Sequence, residues 1–144
     1  MLHQTSIDDG NLCRQLEALN WPPSEFNHRL HVRLAYIYLS QKTQEDAFLA
    51  MRDWTFRYLA HHDLDPGKYN ETLTRAWMLA VRHFMARTPK SQSSDDFVEK
   101  NPRILDSAIM MTHYSRDLLW SDEARRVFIE PDLDPIPRYP DKAA

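Results

Sequence analysis

The chain of 144 residues contains only two glycines, Gly10 and Gly67, where average usage of about 7% would supply roughly ten. That scarcity removes whole classes of fold. Neither G-x-G-x-x-G nor G-x-x-x-x-G-K-[ST] occurs, so no loop cradles a phosphate and no nucleotide cofactor is expected. Hairpin-rich β architectures are disfavoured as well, because tight primed turns lean on Asn-Gly or Asp-Gly and Asp9-Gly10 is the sole such dipeptide. What remains is all-α: a single-domain bundle of about five to six helices over residues 1–144, with 1–7 and 138–144 as loose ends.

Charge narrows the partners. A net charge of -3 and a pI near 6.1 leave no electrostatic footprint for nucleic acid. The longest uncharged apolar run, residues 34–39, falls far short of the ~20 residues that span a bilayer, so no membrane partner is expected. The first residues lack the basic start of a secretory signal, and the lone Cys13 has no internal partner, which together suit a cytoplasmic protein. Cys13 lies among Leu12, Leu16 and Leu19 and reads as an inert thiol. Self-association into a homo-oligomer is left open.

Apolar periodicity places the helices. A first one starts at Asp8 or Asp9 and stops at Trp21-Pro22-Pro23. Ser24 is the expected cap of a second, residues 25–41, which carries Phe26, Leu30, Leu34, Ile37 and Tyr38 on one side and Val32, Ala35 and Leu39 on another, so it belongs at the centre. Thr43 caps a third, packing Ala47, Met51, Trp54 and Tyr58. After the turn residues around Pro66-Gly67, a fourth runs over 71–86 with Leu73, Trp77, Ala80, Val81 and Phe84 inward. Ser94 caps a short turn, Pro102 opens another helix reaching Tyr114, and Ser121 opens a last short one. Four prolines after Glu130 forbid a helix there and predict an extended C-terminal strap.

Chemistry is concentrated at two helix starts. His28 and His31 are three positions apart on one face, so two imidazoles can reach one metal ion; the alternative is a pair of hydrogen-bonded structural histidines. Glu71 and Asn70 open the fourth helix, where an acid and an N-cap also have a purely structural explanation. If the two starts meet, His28, His31 and Glu71 form a ligand set suited to zinc, iron or manganese with open positions for water or substrate. In that reading Glu71 and His31 are the catalytic acid–base groups, and Tyr38, Trp77 and His113 shape the pocket. His61-His62 is expected to be solvated, and His83 lies too far along its helix to join Glu71.

Four motifs in order, Phe26-x-His28-x-x-His31, Tyr69-x-Glu71-Thr72-Leu73-Thr74-x-x-Trp77, Leu118-Leu119-x-Ser121-x-x-Ala124-Arg125 and Glu130-Pro131-Asp132-Leu133-x-Pro135, resemble a family of small bacterial helical proteins of no established activity. The resemblance covers residues 24–137. It implies a metal or acid–base site at His28, His31 and Glu71, and it differs at Asn70, where the family has histidine. Arg125 and Asp132 also match, and a pair between them would pin the strap. The resulting expectation is a small helical protein with a His/His/Glu site acting on a small organic molecule. The alternatives are a non-catalytic module that binds a metabolite or partner, and a structural subunit of a larger assembly. Gly67 is expected to supply a positive φ in the turn that delivers Glu71.

Overall fold

Among the described residues, each of seven α-helices begins with a side chain that accepts a backbone N–H of its first turn, the residues in this role being Ser6, Asn27, Thr43, Asn70, Ser93, Ser115 and Ser121. The structure is a computed structural model and describes residues 2–141. The helices are α1 (Ile7–Glu17), α2 (His28–Gln41), α3 (Gln44–His61), α4 (Glu71–Ala86), α5 (Ser94–Lys100), α6 (Arg116–Leu119) and α7 (Asp122–Arg126). Short 3-10 turns lie at Pro23–Glu25, Pro66–Lys68, Pro102–Leu105 and Ser107–Thr112. No strand occurs among the described residues.

Helix α2 is the central element, as its two apolar sides require. Leu30, Val32 and every residue of 34–39 are buried, and α2 packs on α1, α3, α4 and α5. Around it Leu16, Phe48, Met51, Trp54, Val81, Met85, Phe97 and Ile104 close the main core, each large side chain contributing roughly 1.5–3 kcal/mol by leaving water. Trp54 also donates its Nε1–H to the carbonyl of Leu16 at 2.8 Å, fastening the end of α1 to α3. A smaller core gathers Ala76, Ala80, Met110, Tyr114, Leu119 and Ile136, and Trp77 packs against both.

Several local expectations are corrected. Ser24 does not cap α2: Pro23–Glu25 is a 3-10 turn and Phe26 is extended, so Asn27 takes the cap and His28 becomes the first helical residue. The helix expected from Pro102 to Tyr114 is two 3-10 segments, interrupted where the Asp106 carboxylate accepts the N–H of Ala108. Neither glycine has a positive φ; that conformation falls instead on Leu19 (φ 67°) and Asp63 (φ 55°), which follow the ends of α1 and α3. His62 donates Nε2–H to the Leu19 carbonyl at 2.7 Å and holds the first of these corners.

The ends are anchored. Buried His3 donates Nε2–H to the Met85 carbonyl at 2.8 Å and accepts the Ser91 N–H on Nδ1 at 3.1 Å, so residues 2–6, expected to be loose, are tied to the segment between α4 and α5. Residues 127–141 contain no helix or strand. They are fixed by Ile136 in the smaller core, by Gln44, which donates to the Tyr139 carbonyl and the Asp141 carboxylate, and by Arg82, which donates to the Pro140 carbonyl. Part of the expected loose C-terminus, residues 142–144, lies outside the described residues, as does Met1. Asp132 accepts the N–H of Ser115 at 2.8 Å, while Arg125 reaches the Gly67 carbonyl, so the expected Arg125–Asp132 pair does not form.

Candidate functional site

The two helix starts present their polar side chains to different neighbours. His28 and His31 face α4 across a crevice with Val32, Ala35, Thr74, Trp77, Met78 and Val81, and the space between them is about 10 Å³. That is near the minimum volume for one water molecule. His28 donates Nε2–H to the Ile104 carbonyl at 3.0 Å, and its ring meets the Trp77 ring at 4.6 Å. His31 packs against Phe26 at 5.9 Å. The surrounding side chains desolvate its imidazolium, and His28 adds like charge, so its pKa falls to about 4. It is neutral throughout the physiological range.

Glu71 belongs to another cavity. One carboxylate oxygen accepts the Tyr69 hydroxyl at 2.6 Å and the other accepts Arg52 of α3 at 3.1 Å. Burial, then the hydrogen bond and charge of Glu71, push the Tyr69 phenol well above its ordinary pKa, so it stays a donor. Thr74, one turn further along α4, lines the histidine crevice instead. Arg52, Phe56, Pro66, Gly67, Tyr69 and Glu71, with Asp122, Arg125 and Arg126 of α7, enclose a cleft of about 550 Å³. The structure therefore brings His28 and His31 together and does not bring Glu71 to them. Among the described residues, no group of three or more His, Cys, Asp or Glu side chains is placed to hold a metal ion.

The other expected site residues are distributed elsewhere. Tyr38 is buried against α1, where its hydroxyl donates to Glu17 at 2.9 Å. His113 donates Nδ1–H to the Asp134 carbonyl at 2.7 Å and secures the strap; it lines neither the crevice nor the cleft. Asn70 is a structural clasp, its Oδ1 accepting the Leu73 N–H at 2.9 Å and its Nδ2 donating to the Leu119 carbonyl at 2.9 Å. Trp77 lines the crevice as a wall against His28. Cys13 donates to Glu17 at 3.5 Å, and burial followed by that carboxylate pushes its thiol up to about 11, so it lacks the character of a nucleophile. His83 pairs through Nδ1 with the Tyr139 hydroxyl at 2.8 Å.

Arg52, Phe56 and Arg126 are cleft residues that sequence reasoning did not select. They come from elements far apart in the chain, and an arginine on a helix surface carries no periodic signal. Tyr69 and Arg125 do stand in the motifs, where their positions beside Glu71 and Ala124 were the available hint. No protein-family model, no curated protein and no solved structure matches this chain. The functional reading therefore rests on geometry.

Proposed function

We propose that this chain is a binding protein for a small organic molecule and that its site is the cleft at the start of α4. The observation that carries this reading is where Glu71 sits: in the wall of a cavity of about 550 Å³, within the roughly 300–1,000 Å³ of small-molecule sites, whereas the histidine crevice offers about 10 Å³. Both oxygens of Glu71 are engaged, by Tyr69 and Arg52. Its role is to hold those two donors around a ligand, which favours binding over acid–base catalysis. Kinship with the small bacterial helical proteins rests on the four motifs, and the unpaired Cys13 suits a reducing, cytoplasmic compartment. No helix among the described residues is long and apolar enough to cross a membrane.

Ligand-observed and amide-shift NMR with a small-fragment library tests the proposal. Hits are expected to move the amides of Tyr69, Glu71 and Arg125 and to leave His31 in place. A library whose hits all map to other surfaces, or to the crevice, would overturn it.

A second reading keeps the metal. It is favoured by one observation, that His28, oriented by the Ile104 carbonyl, shares a crevice with a neutral His31. Zinc, iron or manganese would then have two imidazoles and no carboxylate from Glu71. Metal analysis of protein purified without a histidine tag separates the readings: a stoichiometric ion lost in His31→Ala and retained in Glu71→Ala supports this one.

A further inference from the structure

We propose that the cleft takes a small aromatic carboxylate, its anionic group on Arg125 and Arg126 and its ring against Phe56 and Tyr69; this deepens the reading above and rests on it. Charge comes first. Three arginines and two carboxylates line the cavity, and Arg52 is already matched by Glu71 at 3.1 Å. Among the described residues Arg125 reaches only a backbone carbonyl, that of Gly67, at 3.3 Å. The Arg126 guanidinium has no hydrogen-bond or ion-pair partner among the described residues. Two adjacent guanidinium groups at the last turn of α7 are thus open to an anion, with the fork geometry that matches a carboxylate.

The remaining acid sets the charge of the ligand. Asp122 lies in the same wall, so the cleft carries a single surplus positive charge. A carboxylate answers it, whereas a phosphate monoester brings about -1.5 to -2 at pH 7 and meets Asp122 as a like charge. The apolar part of the lining gives the shape. Phe56 is 42% exposed, and its ring centroid is 4.5 Å from that of Tyr69, with Pro66 beside them. A flat apolar body covers that surface by ring packing.

Phenylacetate, phenylacetamide, acetate and inorganic phosphate are titrated at low salt into the wild-type protein and into an Arg125→Gln/Arg126→Gln variant, with calorimetry and the cleft amide shifts as readouts. Both side chains are exposed, so the variant keeps its unfolding midpoint. Phenylacetate is expected to bind about tenfold or more tighter than the other three. The double variant should lose that margin, its affinity for phenylacetate falling to that for phenylacetamide. Equal binding of phenylacetate and phenylacetamide, of acetate, or of phosphate overturns the assignment. If neutral fragments still move the Tyr69 and Glu71 amides, only the carboxylate assignment falls; if no probe or fragment moves them, the cleft reading falls with it.

Discussion

Replacing Asn70 separates a structural clasp from a ligand. Its side chain is 5% exposed and makes two bonds in opposite directions, accepting the Leu73 N–H and donating to the Leu119 carbonyl, both at 2.9 Å. Asn70→Ala removes the α4 cap, worth about 1 kcal/mol, and strands the Leu119 carbonyl, at about 1–3 kcal/mol. The expected loss is about 2–4 kcal/mol, a fall in Tm of roughly 5–15 °C for a chain of this size. Asn70→Asp keeps the acceptor and adds a favourable charge at the helix start, by about 0.3–1 kcal/mol, yet sets a carboxylate oxygen against a carbonyl oxygen. It should fall between wild type and Asn70→Ala. Urea unfolding at constant m measures both, and cleft affinity in folded Asn70→Ala should stay within about twofold, since Asn70 is outside the cleft wall. A loss below about 0.5 kcal/mol in the alanine variant, or an aspartate variant as stable as wild type, would refute the clasp.

Two further outcomes follow from the same geometry. His31 has its pKa lowered from 6.5 to about 4 in the fold; burial favours the neutral ring, so its contribution is complete above pH 6.5, declines as pH falls toward 4, and is flat below that. The size of that decline is on the order of 3 kcal/mol, and a His31→Leu protein with the same slope of stability over that pH range would contradict it. Asp63 is exposed at φ 55°, so Asp63→Gly should raise stability by about 0.5–1 kcal/mol in urea unfolding; a loss would show that the corner depends on its side chain.

The parts of the fold that could be read from the sequence were those written in side-chain period. Helix α2 was legible as the central element because Val32, Ala35 and Leu39 add a second apolar side to that of Leu30, Leu34 and Ile37, and all six are buried. Residues 102–114 were not, because an apolar spacing that suits an α-helix also suits a 3-10 turn, and Asp106 decides between them by a local bond. Scarce glycine pointed correctly away from β-structure and wrongly to Gly67. The chain places its left-handed corners at Leu19 and Asp63, and the nearest atom to an added Cβ at Gly67 would be an Asp65 carboxylate oxygen at 3.2 Å.

The candidate site was half legible. His28 and His31 share a crevice, as their spacing requires. Whether Glu71 joins them depends on the rotation of α4: Thr74 and Trp77, one and two turns on, face α2, while Glu71 turns to Arg52 on α3. No spacing within one helix encodes which neighbour its first residue meets. Arg52 of α3 and Arg126 of α7 are invisible for the same reason.

A ligand-bound crystal structure tests the central claim, that the working cavity is the one walled by Glu71. Protein soaked with phenylacetate is expected to show it between α7 and the Phe56–Tyr69 wall, its carboxylate toward Arg126. Density in the crevice between His28 and His31, with the Glu71 cleft empty, would contradict the account.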